Sequence, residues 1–133
     1  MDIEQIVKET IDCAYEVKNI LKKGYVENVY KNALAHELRL RGHLAEVEKP
    51  IKVSYKGIVA GEFRADILVD GILILELKAT SQIIDAHCVQ LVNYLTGTGI
   101  DHGLVINFGS DKLEVKRKWR IYKKTSVFLT ERT

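Results

Sequence analysis

The run from Arg64 to Lys78, RADILVDGILILELK, constrains the fold of this chain more than any other stretch. Two segments rich in Val, Ile and Leu flank Asp70-Gly71, a pair suited to a tight hairpin turn. Among the apolar residues stand Asp66, Glu76 and Lys78. Burying an unpaired charge is strongly unfavourable, so such groups are paired, metal-bound or at the edge of solvent. Hard carboxylate oxygens suit Mg²⁺ or Mn²⁺, and a lysine beside them can orient or stabilise an anionic oxygen.

Side chains alternate along a strand, so Glu76 and Lys78 point one way while Leu75 and Leu77 point the other. Whether Asp66 joins them depends on the turn. A two-residue loop at Asp70-Gly71 pairs Asp66 with Leu75 and leaves Glu76 on the opposite face. A three-residue loop, with Gly71 in the left-handed position of a bulged turn, puts Asp66 on the face of Glu76 and Lys78. The hydrophobic pattern leaves both registers open, since both strands are apolar on both faces. A shared site predicts an odd loop or a bulge.

Around this hairpin the apolar spacing predicts a helix over residues 2–21 and a second from Val26 to a stop at Gly42. Short extended segments follow at His43–Glu48 and Ile51–Tyr55, with Pro50 arguing against a central strand. Glu62–Val69 and Ile72–Ala79 form the hairpin. Residues 85–96 return to helix, ended by Gly97 and Gly99. Gly103–Phe108 reads as a buried strand with a neighbour on each side. Further strands are expected near Leu113–Lys118 and Ser126–Leu129. The order fits an α/β fold with helices flanking a small mixed sheet. At 133 residues, 47% of them hydrophobic, the chain suits one domain spanning 1–133.

No apolar run reaches the length of a membrane span. Cys13 and Cys88 are too few for a disulfide framework and suit a reducing cytoplasm. The net charge of +2 conceals an asymmetry: residues 111–133 hold eight basic and three acidic residues, while the first 110 hold twelve and fifteen. A basic tail on an acidic body, with Lys116, Arg117 and Lys118 at its centre, suits contact with nucleic-acid phosphates. Trp119 and Tyr122 lie among these charges, where core packing is favoured over base stacking.

Further residues can join the site. Glu27 opens the second helical pattern and is either a third carboxylate facing the sheet or an exposed first-turn acid at a helix N-terminus. Gln90, with Asn93 and Tyr94 on the third helix, carries an amide able to bond a phosphate or a water.

Gly24-Tyr25-Val26-Glu27-Asn28-Val29-Tyr30, Arg64-Ala65-Asp66, Glu76-Leu77-Lys78, Gln90-Leu91-Val92-Asn93-Tyr94 and Ile106-Asn107-Phe108 occur in this order. In these motifs the chain resembles the GxxExxY proteins, small prokaryotic members of the PD-(D/E)XK nuclease superfamily. The resemblance implies a restriction-endonuclease-like core, a mixed sheet with a helix on either side. It makes Asp66, Glu76 and Lys78 the superfamily site, Glu27 the helix-borne acid and Gln90 the glutamine of related nucleases. Ala65 stands where the nominal motif has proline, a loosely kept position. The function expected is phosphodiester hydrolysis with Mg²⁺, or Mn²⁺, on DNA in preference to RNA. A homodimer or a larger protein partner would widen the binding surface. The rival readings are a non-catalytic nucleic-acid-binding module, which needs only the basic tail, and a protein-interaction domain in which the charged trio is an ion-pair network.

Overall fold

The computed structural model describes residues 1–121; Tyr122 and the strand expected near Ser126–Leu129 lie outside them. Helix α1 (Ile3–Leu21) starts where Asp2 and Gln5 cap each other's backbone N–H groups, and α2 spans Glu27–Leu40. Two long strands follow, β1 (Ala45–Tyr55) and β2 (Ile58–Val69), then β3 (Leu73–Lys78), α3 (Asp85–Thr98), β4 (His102–Asn107) and β5 (Glu114–Trp119). The sheet runs in the order β1-β2-β3-β4-β5, with β3 parallel to β4 and every other pair antiparallel. No helix among the described residues is long and apolar enough to cross a membrane.

Each face of the sheet has its own apolar layer. Leu73, Leu75, Leu77, Leu104, Ile106 and Phe108 pack under α1 and α2, whereas Leu68, Ile74 and Val105 pack under α3. The two extended segments expected at His43–Glu48 and Ile51–Tyr55 are one strand. Pro50 interrupts nothing because β1 is an edge strand, where a missing N–H can face away from the ladder. Helix α3 runs past Gly97 to Thr98; a Cβ at Gly97 would lie 3.0 Å from the Val53 side chain, so a bare position lets α3 close on β1.

The β2–β3 turn decides the register. Val69 pairs with Leu73, leaving a three-residue loop, Asp70–Ile72. Asp70 and Gly71 both adopt positive φ (52° and 73°), and the Ile72 N–H donates to the Val69 carbonyl at 3.0 Å. A left-handed aspartate is unfavourable unless its side chain is used, and here it is. Asp70 Oδ1 accepts from the Leu44 N–H at 2.8 Å, and Oδ2 lies 2.7 Å from His43 Nδ1. Buried His43 bridges on to Glu9 of α1 at 2.7 Å. The turn is thereby pinned to the first helix and to the entry of β1.

The β1–β2 hairpin also rolls over partway along. Val47, Ile67 and Val69 pack in the α1–α2 layer, but Ile51, Val53, Phe63 and Ala65 pack in the α3 layer, although all are odd-numbered. The change of face falls at Glu48 and Asp66. Glu48 has φ 53°, a strained conformation for a non-glycine residue.

Candidate active site

At that level β2 parts from β3. Their pairing covers only Ile67–Val69 and Leu73–Leu75, while Glu76–Lys78 continue beside β4. The result is a fork with Asp66 at its base. Asp66 Oδ2 accepts from the Leu77 N–H at 2.7 Å, supplying the acceptor that the departed strand no longer offers. The odd loop expected from the sequence is therefore present. What unites Asp66 with Glu76, however, is the fork as well as the register, because simple alternation along β2 fails at Asp66.

Glu27 reaches the fork from the first turn of α2. The loop before it turns through Gly24 at φ 121°, and fully buried Tyr30 holds that loop. The Tyr30 hydroxyl donates to the Lys22 carbonyl at 2.6 Å and accepts from the Tyr25 N–H at 3.2 Å. Its ring stacks on Phe108 at 4.7 Å. The Gly-x-x-Glu-x-x-Tyr spacing is thus a mechanical unit: the tyrosine, one turn after the glutamate, fixes where the helix begins.

The electrostatics tie these groups together. Burial first, and then the Asp66 charge, push the Glu76 carboxyl up to about 8, against the Lys78 ammonium and the Asp66 backbone N–H. Burial also raises Asp66, opposed by the Leu77 N–H, Lys31 and Lys78. Glu27 is raised by burial and by Asp66, opposed by Lys78 and Lys31. Lys78 acts on all three carboxyls. Lys31, 6% exposed, is a contributor that the sequence did not single out; its Nζ lies 3.1 Å from Glu48 Oε1. The four-residue spacing from Glu27 was the available signal.

Glu76 Oε1 is buried and has no hydrogen-bond partner among the described residues. Such an oxygen costs about 1–3 kcal/mol unless a proton or a cation satisfies it. With neighbouring carboxylates for company, it fits a hard divalent ion. Among the described residues, no three acidic, His or Cys side chains already form a ligand cluster. A cleft of about 330 Å³ opens at the other end of β3 and β4, beside Ile72 and His102, and takes no part in the site.

Gln90 stands on the exposed side of α3 and donates to the Tyr94 hydroxyl at 2.8 Å; Tyr94 in turn stacks on Phe63 at 3.7 Å. The basic trio of β5 is divided. Arg117 makes a bidentate pair with Glu4 of α1, both contacts at 2.8 Å, whereas Lys118 lies beside Cys88 and Val92 of α3. Trp119 is 54% exposed under the Arg117 guanidinium, not in the core.

Residues 4–118 match the sequence profile of the PD-(D/E)XK nuclease superfamily. No curated protein matches the chain significantly. Among solved structures, SSO0001 aligns with a TM-score of 0.55 at 19% identity, over 79% of this chain and 56% of its own. This chain therefore spans little more than half the length of that protein, and the likeness is one of fold. The helix-flanked mixed sheet is the restriction-endonuclease-like architecture. The alkaline exonuclease LHK-Exo from Laribacter hongkongensis aligns at 13% identity in its complex with dAMP and at 15% in a second structure. The TM-scores are 0.48 and 0.38, each over 89% of this chain and 80% and 79% of the exonuclease.

Proposed function

The chain belongs to the PD-(D/E)XK nuclease superfamily, and from that premise we propose that it is a divalent-metal-dependent nuclease of the GxxExxY type. It hydrolyses phosphodiester bonds, in DNA by preference over RNA, as one domain over residues 1–133, and works in the cytoplasm. The observation that carries this reading is the fork, where the Lys78 ammonium acts on Asp66, Glu76 and Glu27, and a buried Glu76 oxygen lacks a partner among the described residues.

Asp66 and Glu76, with Glu27, would hold Mg²⁺, or Mn²⁺ in its place. When bound, the ion supplies Lewis acidity that draws charge from a phosphodiester and acidifies water. Burial raises the Glu76 carboxyl to about 8, so Glu76 would have to release a proton to solvent to serve as a ligand, since ligands must be deprotonated. Lys78 offers ammonium N–H donors to a developing oxyanion. Gln90 contributes an amide that can both donate to a phosphate oxygen and accept from a water. Lys116 and Lys118 bind the nucleic-acid backbone, while Arg117, also expected there from the sequence, is engaged by Glu4; a second copy or a larger protein extends that surface.

The test is a cleavage screen with Mg²⁺ and Mn²⁺ over duplex, single-stranded and branched DNA and over RNA. D66N and E76Q serve as controls. Cleavage that falls about a hundredfold or more in both variants is expected. A wild type that cuts none of these substrates, or variants as active as the wild type, would overturn the reading.

A further inference from the structure

Asn107, the last residue of β4, is fully buried and pairs in register with Lys78 of β3. The chain leaving Lys78 is held at successive points. The Phe108 N–H donates to the Lys78 carbonyl at 2.9 Å. The Asn107 amide then takes both polar groups of the Thr80 backbone: Oδ1 accepts its N–H and Nδ2 donates to its carbonyl, each at 3.0 Å. At Gly109 a Cβ would lie 2.4 Å from the Thr80 backbone N and O, so the two segments meet where no side chain fits. Asn107 Nδ2 also donates to Glu114 Oε1 at 2.9 Å, and that same oxygen accepts the Ile83 N–H at 3.0 Å. Ile83 precedes Ile84, the N-cap of α3, which carries Gln90. Asn107 chiefly, and the Ile83 N–H with it, hold the Glu114 carboxyl below the usual carboxylate range. An ionised acceptor makes the stronger hydrogen bonds.

One amide and one carboxylate therefore secure both ends of the crossover between β3 and α3. We infer that Asn107 and Glu114 are positioning residues, a clamp that fixes how Lys78 and Gln90 stand toward the carboxylates of the fork. The consequence for turnover rests on the nuclease reading; the clamp itself does not.

Asn107→Ala strips several hydrogen bonds from a buried position and can unfold the protein, so the test uses half-buried Glu114. In E114A, hydrogen exchange at the Ile83 amide should speed up about tenfold, the scale of one lost hydrogen bond. E114Q retains an acceptor oxygen and should stay within about threefold of wild type. On a cleaved substrate, kcat should fall about tenfold in E114A with KM within about twofold, and E114Q should restore it. On a background lacking both positioned groups, K78A with Q90A, E114A should change kcat by less than about twofold, because nothing it positions remains. Wild-type exchange at Ile83 in E114A, or an undiminished loss of kcat on the K78A and Q90A background, would overturn the inference. If the wild type cuts nothing, the nuclease reading falls while the exchange measurement still decides the clamp.

Discussion

Glu76 is the residue on which the site turns. Its carboxyl is raised from 4.5 to about 8, first by burial and then by Asp66. Between those two values an unfolded chain has released the proton while the folded metal-free protein keeps it. The folded state therefore binds more protons and loses stability as pH rises through that window. E76Q carries no such proton, so its stability relative to wild type should grow between pH 5 and pH 8. Chemical denaturation at both pH values without metal checks this. An equal difference at the two pH values would mean that Glu76 titrates normally. Adding Mg²⁺ should move the difference back in favour of the wild type at pH 8, because only the wild type gains a full ligand.

At the scale of elements, the β2–β3 turn matters most, since a loop of three residues sets which β3 side chains face Asp66. Asp70 holds the turn through the Leu44 N–H and His43. D70A should cost about 2 kcal/mol, as for a lost hydrogen bond to a charged group. Burial opposes protonation of His43, but its hydrogen bonds to Asp70 and Glu9 outweigh it and raise the imidazole above 6.5. That contribution is fully present below about 6.5, the unfolded value, and is lost as pH rises through the higher folded value. The penalty of D70A should accordingly shrink between pH 6 and pH 9 in urea melts. A constant penalty would leave the Leu44 hydrogen bond as the whole effect.

At the scale of the molecule, the sheet divides the charges of its last strand. Arg117 is committed to Glu4, whereas neither Lys116 nor Lys118 enters an ion pair among the described residues. Charge neutralisation at Lys116 and Lys118 should weaken nucleic-acid binding and flatten its salt dependence. The log–log slope should fall by about 0.9 for each duplex phosphate that the protein no longer neutralises. R117A should act mainly on stability, with its slope near wild type. Affinity measured across a salt series separates the two. An unchanged slope in the lysine variant would make that edge of β5 an ordinary solvated surface.

The elements were legible in the sequence because helix periodicity, strand content and Asp-Gly turn chemistry are local properties of a few neighbouring residues. The positions of α1, α2, β3 and β4, and Asp66, Glu76 and Lys78 as candidate site residues, could be read in that way, whereas the choice between the two readings of Glu27 came only from the family resemblance. The union of His43–Glu48 with Ile51–Tyr55 could not, because Pro50 is tolerated only through the edge position that the whole sheet assigns to β1. Nor could the rolled hairpin, which exchanges faces at Glu48 and Asp66 as its two halves follow different helix layers. Lys31 was missed because its effect on Asp66 crosses between distant segments, although its four-residue spacing from Glu27 was a signal. The sequence by itself determined which groups and which local elements the chain possesses. Only the tertiary structure decided the register of β2 on β3, the fork that register opens, and the burial that leaves Glu76 Oε1 without a partner among the described residues. Register and desolvation depend on distant segments packing together, and no period within a single strand encodes that.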